Sequence, residues 1–197
     1  MNEKIFREYD IRGIYGTDIT EEFAYLFGKA FGSYIQIDDH YKVIVGYDNR
    51  TSSPVIFEAL KKGLLETGVD VTSLGLVTTP MYYFAKKEYE FDCGIMITAS
   101  HNPKEYNGFK ISFDKIGNAY GKKIQDFKNF MLKNDFLTGT GSYQTLDIKE
   151  EYMNLLKYSL DIGFRKVKVV VDAGNGTASI IIKEILDMLG KSGLDSQ

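Results

Sequence analysis

The sequence of 197 residues contains little of what disulfide-bonded, zinc-binding and membrane proteins need. It has one cysteine, Cys93, and two histidines, His40 and His101. One cysteine cannot form an internal disulfide, and three such residues are too few for a His/Cys zinc site. No uninterrupted apolar run approaches the roughly 18 residues of a membrane-spanning helix. We therefore expect no internal disulfide, no His/Cys metal site and no membrane partner.

An excess of either charge is also missing. The chain has 24 basic and 27 acidic residues, for a net charge of −3. This balance provides no basic field for nucleic acid, so an anionic ligand must be bound by local groups. The first four residues include Glu3 and Lys4, where a secretion signal needs apolar residues. These observations predict a cytoplasmic protein without a nucleic-acid partner.

Helical periodicity is present in four segments of the first 161 residues. The clearest follows Thr20, a predicted N-cap, and has apolar residues at three- and four-residue spacing up to Tyr34. The second begins at Ser53-Pro54, a cap residue followed by proline in the first turn. The other two cover residues 121–133 and 148–161.

Short continuous apolar runs lie between these helices and predict strands buried on both faces. The runs are Val43–Gly46, Val69–Leu76, Cys93–Ile97 and Phe109–Phe113. Strands that alternate with helices are typical of an α/β layered domain. The position of Cys93 within such a run favours a buried core thiol over a nucleophile.

The pattern starts again near Gly163 and predicts the beginning of a second domain. Val167–Val171 is predicted as a strand, and a turn and a helix ending at Gly190 follow it. One strand and one helix cannot bury their own apolar faces, so we expect self-association through this helix or altered docking on the first domain. The predicted divisions are 1–163, 164–190 and a tail, 191–197. We expect a truncated protein, a frameshift or a gene fragment, which the sequence alone does not distinguish.

The loop Thr98–Pro103 (TASHNP) contains the most reactive combination of side chains. It follows a buried run, and Pro103 prevents regular structure from continuing, so Ser100 lies where a strand end presents side chains to a ligand. When these residues are taken alone, a simple turn is the favoured explanation. A Ser-His-Asp hydrolase is a poor fit, because there is no G-x-S-x-G elbow.

Five motifs in order along the chain carry a resemblance to a known family. They are Phe6–Gly13 (FREYDIRG), Val45–Ser53 (VGYDNRTSS), Thr78–Pro80 (TTP), Thr98–Lys110 with TASHNP and YNGFK, and Val171–Gly176 (VDAGNG). Together they resemble the first domain of the α-D-phosphohexomutases. The opening motif and the TASHNP loop are more similar to the bacterial phosphomannomutase/phosphoglucomutase branch than to the phosphoglucosamine mutases. The resemblance implies a three-layer α/β/α sandwich with a mixed, mostly parallel sheet.

The resemblance also implies an activity and a set of site residues. Members of the family interconvert hexose 1-phosphate and hexose 6-phosphate through a phosphoserine and a bisphosphate intermediate. Carried over to this sequence, the phosphoserine is Ser100 and the general acid/base is Lys110. The implied catalytic residues are Ser100, His101, Lys110 and Arg12, and the implied substrate-binding residues are Tyr9, Arg50 and Asn102.

Several of these residues also have simpler interpretations. Lys110 could be the solvent-facing residue of an edge strand, and Arg12 could be a surface charge in a glycine-flanked turn. Arg50 and Ser52 could serve only to cap the helix that starts near Pro54. For the turn at Gly174-Asn175-Gly176, we favour a structural role over an anion-binding site.

The family's metal site combines the serine phosphate with an Asp-Gly-Asp-Gly-Asp-Arg loop that this sequence lacks. In the full-length family the metal is Mg²⁺, held here only through Ser100, and we expect this chain not to bind it tightly. The family's loops for sugar and phosphate recognition are missing too, so we expect the chain to be inactive alone. Two alternatives are a non-catalytic phosphosugar-binding or regulatory module, and an enzyme completed by other chains.

Overall fold

The computed structural model describes residues 2–115, 117–160 and 168–190. Its helices are α1 (Glu21–Ile35), α2 (Ser53–Leu65), α3 (Thr79–Glu88), α4 (Lys122–Leu132), α5 (Lys149–Ser159) and α6 (Ile182–Gly190). Its strands are β1 (Ile11–Ile14), β2 (Lys42–Tyr47), β3 (Asp70–Leu76), β4 (Cys93–Ile97), β5 (Tyr106–Ser112) and β6 (Tyr143–Thr145). The chain divides into two compact units, Met1–Leu146 and Asp147–Gln197.

The first unit is built on one six-stranded sheet with the order β1-β5-β4-β2-β3-β6. Strand β2 is parallel to β3 and to β4, and β3 is parallel to β6. Strand β5 is antiparallel to both β1 and β4. The sheet is therefore mixed and mostly parallel, as predicted.

Helices cover both faces of this sheet. Helices α1, α2 and α4 share one apolar core with alternate strand residues such as Val45, Ile95 and Phe109. Helix α3 covers the other face, where a side chain at Gly94 would lie 2.4 Å from the Tyr82 hydroxyl. Successive residues of a strand point to opposite faces of the sheet. The same strands therefore supply the apolar side chains that face α1, α2 and α4 and those that face α3. This arrangement confirms the three-layer α/β/α sandwich.

Helices α1 and α2 approach each other closely at two glycines. A Cβ at Gly28 would lie 2.3 Å from the Leu60 carbonyl oxygen, and a Cβ at Gly63 would lie 2.1 Å from the Tyr25 carbonyl oxygen. Both distances are far inside van der Waals contact. The backbones can therefore pack at this distance only because neither position carries a side chain.

Three elements were not predicted from the sequence. Helix α3 has no continuous apolar stripe, because lysines interrupt it, although Thr78 caps its N-terminus and Pro80 lies in its first turn. Strand β1 is short and contains Arg12 and Gly13, so it was interpreted as a turn. Strand β6 has only exposed residues and lies at the sheet edge, so no apolar pattern marks it.

The second unit contains α5, a 3₁₀ turn at Thr177–Ile180, and α6. Ile148 and Ile181 are buried, and Lys149 forms an ion pair with Glu184 at 2.5 Å. The predicted strand does not form at residues 168–171, where no neighbouring strand pairs with the backbone. The predicted boundary at 163/164, the start of that strand and the tail 191–197 lie outside the described residues.

Across the three described stretches of chain, no helix is long and apolar enough to span a membrane.

Candidate active site

Ser100 lies in an exposed loop at the end of β4, a central strand of the sheet. Its backbone φ is 57°, in the left-handed region that residues other than glycine adopt uncommonly. The Thr98 hydroxyl accepts the Ser100 N–H at 2.8 Å, and the Thr98 N–H donates to the Gly108 carbonyl at 2.9 Å. Thr98 therefore connects the reactive loop to the adjacent strand β5.

His101 is the side chain nearest to the Ser100 hydroxyl among the contacts in this loop. Its Nδ1 lies 3.3 Å from the Ser100 Oγ, and both residues are exposed. The imidazole can accept the hydroxyl proton, or donate a hydrogen bond once it is itself protonated. The pair is therefore accessible to a ligand from solvent.

Arg12 is buried in β1 and is not a surface charge. Its guanidinium forms an ion pair with Asp10 and donates to the Asn102 side-chain oxygen at 2.5 Å. Its Nε is buried without a hydrogen-bond partner among the described residues. Gly108 lies opposite Arg12 in the sheet, where a Cβ would lie 2.0 Å from the Ile11 carbonyl. The glycine of the YNGFK motif thus permits β1 to pair closely with β5.

Lys110 lies in β5, and β5 is an interior strand with β1 on one side and β4 on the other. The interpretation of Lys110 as a residue of an edge strand was therefore wrong. Lys110 is paired with Met96 and lies two residues after Gly108, the partner of Arg12. Because side chains alternate along strands, Lys110 and Arg12 lie on the same face of the sheet.

Arg50 lies at the corner between β2 and α2 and holds the Ser100 loop through the backbone. Its Nη2 donates to the carbonyls of Ser100 (2.9 Å) and Asn102 (2.7 Å). Its Nη1 donates to the carbonyls of Pro103 (2.7 Å) and Tyr106 (3.0 Å). The role of Arg50 thus extends beyond capping α2, which Ser52 does not cap with its side chain either.

Buried polar side chains hold the corner between β2 and α2 in place. The Asp48 carboxylate accepts from the Arg50 N–H at 3.1 Å, from the Arg50 Nε at 3.1 Å and from the Ser53 hydroxyl at 2.6 Å. The fully buried Asn107 donates to the hydroxyls of Ser52 (2.8 Å) and Ser53 (3.0 Å). These contacts join the start of α2 to the YNGFK motif.

Tyr9 is the predicted site residue that the structure leaves outside this cluster. Its side chain is 67% exposed, although it precedes the buried Asp10 directly. The other six predicted residues lie on β1, β5, the Arg50 corner or the Ser100 loop.

Sequence reasoning missed four residues that orient the site: Asp10, Asp48, Thr98 and Asn107. The two aspartates share a signal that could have revealed them. Each lies two residues before an arginine of the site and forms an ion pair with it. A buried cation needs such a partner, because an unpaired charge in the interior is costly. The repeated Asp-x-Arg spacing was therefore informative.

Cys93 is buried at the start of β4, as predicted, and not in the site. Burial is the main cause that raises the pKa of its thiol from 9.0 to about 12. The reactive thiolate is therefore scarce at neutral pH, which argues against a nucleophilic role.

The residues around Ser100 do not fit a magnesium ion by themselves. In the part of the chain that the structure describes, no group of three or more His, Cys, Asp or Glu side chains could hold a metal. Mg²⁺ needs oxygen ligands, whereas the Asp10 and Asp48 carboxylates are already paired with arginines.

Comparison with known proteins places these observations in a family. Residues 3–137 match the family described as "Phosphoglucomutase/phosphomannomutase, alpha/beta/alpha domain I". A phosphomannomutase/phosphoglucomutase of Pseudomonas aeruginosa is 39% identical over 190 residues, which are 95% of this chain and 40% of the relative. A probable phosphoglucosamine mutase of Methanocella arvoryzae is 39% identical over 191 residues, with 94% and 41% covered.

Solved structures agree with this match. The crystal structure of a phosphoglucomutase/phosphomannomutase family protein from Burkholderia thailandensis superposes with a TM-score of 0.89 and 36% identity. The match covers 96% of this chain and 43% of that structure. The chain thus spans about two fifths of the length of the relatives it matches.

Proposed function

Because the chain belongs to the phosphoglucomutase/phosphomannomutase family, we propose that its Ser100 loop is the phosphoryl-carrying site of a hexose phosphate mutase. The observation that supports this most directly is the presentation of Ser100. Its hydroxyl is exposed beside His101, on a loop held by the buried Arg12 and the partly buried Arg50, each paired with an aspartate. Phosphoryl transfer depends on positioning and on cations around the phosphoryl oxygens, and the chain provides both here.

In the proposed reaction, a hydroxyl of a hexose phosphate attacks phosphorus on phosphorylated Ser100. The bond from phosphorus to Ser100 Oγ breaks, and the sugar becomes a bisphosphate. Lys110 accepts the proton of the attacking hydroxyl, His101 donates a proton to the departing Ser100 Oγ, and Arg12 stabilises the charge on the transferred group. In the return step, His101 takes the proton of the Ser100 hydroxyl, and Oγ attacks the other phosphoryl group of the bisphosphate. The bond from that phosphorus to the sugar oxygen breaks, Lys110 returns its proton to the sugar oxygen, and the second hexose monophosphate is released.

The remaining site residues have supporting roles in this proposal. Asn102 holds Arg12 against the loop and contacts the substrate phosphate, and Tyr9 packs on the sugar from solvent. The choice among hexose phosphates stays open, because similar relatives carry mannose, glucose and glucosamine in their names. Weak binding of Mg²⁺ and a cytoplasmic location stay predictions.

The experiment is a phosphorylation assay of the 197-residue chain. Incubation with glucose 1,6-bisphosphate should add one phosphoryl group, and peptide mapping should locate it on Ser100. Ser100→Ala should abolish this product, whereas Ser112→Ala, which removes a buried hydroxyl outside the loop, should leave it. Phosphate found only on other residues would contradict the assignment.

A non-catalytic phosphosugar-binding module is the second candidate, and the short span of the chain relative to its relatives favours considering it. Calorimetry with glucose 1-phosphate and mannose 1-phosphate separates the two functions. Binding without any phosphorylation of Ser100 would support the module.

A further inference from the structure

We propose that Arg50 is a positioning residue, which fixes the backbone of the Ser100 loop and does not contact the substrate. The purpose of that positioning rests on the proposed function of Ser100. The hydrogen bonds themselves are independent of it. This role differs from the substrate-binding role that the family resemblance implies for Arg50.

All side-chain hydrogen-bond donors of Arg50 are used within the protein. An arginine side chain has five N–H groups and no acceptor. The Arg50 Nε donates to Asp48, and the two Nη atoms donate to four backbone carbonyls. The side chain is only 11% exposed. A substrate phosphate could therefore bind Arg50 only by displacing a bond that holds the loop.

Apart from Arg50, a small set of backbone hydrogen bonds fixes the course of the loop. The Ser100 N–H donates to Thr98, the Asn102 N–H to the Ala99 carbonyl at 3.1 Å, and the Tyr106 N–H to the Pro103 carbonyl at 3.0 Å. At the end of the loop, the Tyr15 N–H donates to the Glu105 carbonyl at 2.8 Å. Pro103 lacks an N–H and donates none. The carbonyls of Ser100, Asn102, Pro103 and Tyr106 instead converge on one guanidinium. Without that cation, four carbonyl dipoles would converge without a common donor, and of the four the Pro103 carbonyl would keep its bond from the Tyr106 N–H at 3.0 Å.

Ser100 also needs a restraint from outside the loop. Its positive φ is unfavourable for a residue with a side chain, and such a conformation persists only where surrounding contacts enforce it. Arg50 binds the carbonyl of Ser100 itself at 2.9 Å. The contact therefore acts on the residue whose hydroxyl must be aimed at the substrate.

Arg50 is itself held in place. Asp48 binds both its backbone N–H and its Nε, and Ser53 binds the same carboxylate. The loop is thus attached to the end of β2 through a side chain that has little freedom. Lysine cannot replace this contact, since its ammonium is a point charge without the planar fork.

Hydrogen exchange measured by mass spectrometry on the 197-residue chain tests this proposal. In Arg50→Lys and Arg50→Met, amides of residues 98–107 should exchange at least about tenfold faster, while peptides of α1 and β2 stay unchanged. Arg7→Lys makes the same substitution at an exposed arginine and should change neither region. Equally faster exchange in Arg50→Lys and Arg50→Met would indicate that the planar guanidinium is required, and not only its positive charge. Full protection in Arg50→Lys would overturn the proposal, because charge alone would then suffice.

A measurement on the unaltered chain remains decisive if both variants unfold. Nitrogen-15 NMR of the arginine side chains should show separate, slowly exchanging Nη–H protons for Arg50. These signals should not shift when glucose 1-phosphate is added. Averaged Nη signals, or a shift upon addition of the sugar phosphate, would refute the positioning role. Failure of Ser100 to accept a phosphoryl group would reject only the proposed function, since neither exchange nor NMR depends on it.

Discussion

The Arg12 guanidinium donates to the side-chain oxygen of Asn102 at 2.5 Å and so joins strand β1 to the Ser100 loop across 90 residues of sequence. Arg12 also pairs with the buried Asp10, so one cation connects a strand, a loop and a carboxylate. The two arginines hold the loop differently. Arg12 contacts the Asn102 side chain of the loop, whereas Arg50 contacts the loop only through backbone carbonyls.

We expect Arg12→Met to lower the free energy of unfolding by about 3 kcal/mol, because it leaves the buried Asp10 carboxylate without its partner. Urea unfolding of the variant measures this loss. The double variant Asp10→Asn with Arg12→Met should recover part of it, since no charge then remains buried. Equal stability of the single and double variants would mean that the ion pair does not determine the effect.

Gly63→Ala should destabilise the fold by about 1–3 kcal/mol, although alanine is normally the better helix former. The added methyl group would lie 2.1 Å from the Tyr25 carbonyl and would force α1 and α2 apart. Thermal unfolding checks this prediction. Glu58→Ala on the exposed side of α2 is the control and should change stability by less than about 0.5 kcal/mol. A more stable Gly63→Ala variant would contradict the close approach of the helices.

Cys93 should resist thiol reagents in the native protein and react on denaturation, because burial raises its pKa to about 12. Folding favours the protonated thiol. The stabilising contribution of the protonated Cys93 thiol is therefore complete below about pH 9 and is lost as the pH rises toward 12. The loss is at most about 1.4 kcal/mol per pH unit.

Unfolding experiments on Cys93→Ala between pH 8 and pH 11 provide the comparison for this pH dependence. The variant should show a shallower decline in stability than the unaltered chain. Identical slopes, or rapid labelling of the native thiol, would show that Cys93 is accessible.

The chain alone should show negligible mutase turnover, far below the roughly 1–10³ per second of ordinary enzymes. The described residues contain no cluster of three or more His, Cys, Asp or Glu side chains that could hold a metal ion. Stabilisation of the transferred phosphoryl group supplies most of the rate of such reactions. A coupled assay with glucose 1-phosphate, at verified protein mass, measures turnover. Activity in the ordinary range would show that the residues present suffice.

Helix α6 should mediate self-association. It is amphipathic, but none of its residues is buried. Light scattering should therefore report more than one copy, and Ile182→Asp with Leu186→Asp should dissociate the assembly or destabilise the fold. Lys183→Ala, at a mostly exposed position of the same helix, should have no such effect. A strict monomer with rapid amide exchange throughout the helix would exclude this interface.

The sequence predicted the buried strands β2 to β5 and helices α1, α2, α4 and α5, because these elements carry strong apolar periodicity. Strand β1 was missed, since its pairing with β5 is decided by a tertiary contact at Gly108 and not by local pattern. The prediction that Ser100 lies on an exposed loop after a buried strand is confirmed. The motifs could not reveal that Arg50 binds backbone carbonyls, because such acceptors exist at every residue and leave no signature in side-chain identity.

The carbonyl contacts of Arg50 have a consequence for how this loop tolerates change. A guanidinium that contacts the loop only through main-chain oxygens is indifferent to which side chains the loop residues carry. Exposed positions such as Lys104 and Glu105 can therefore be exchanged without loosening the support of Ser100. Libraries randomised at these two positions should retain the loop conformation, which makes them suitable sites for redesigning the recognition of anionic ligands.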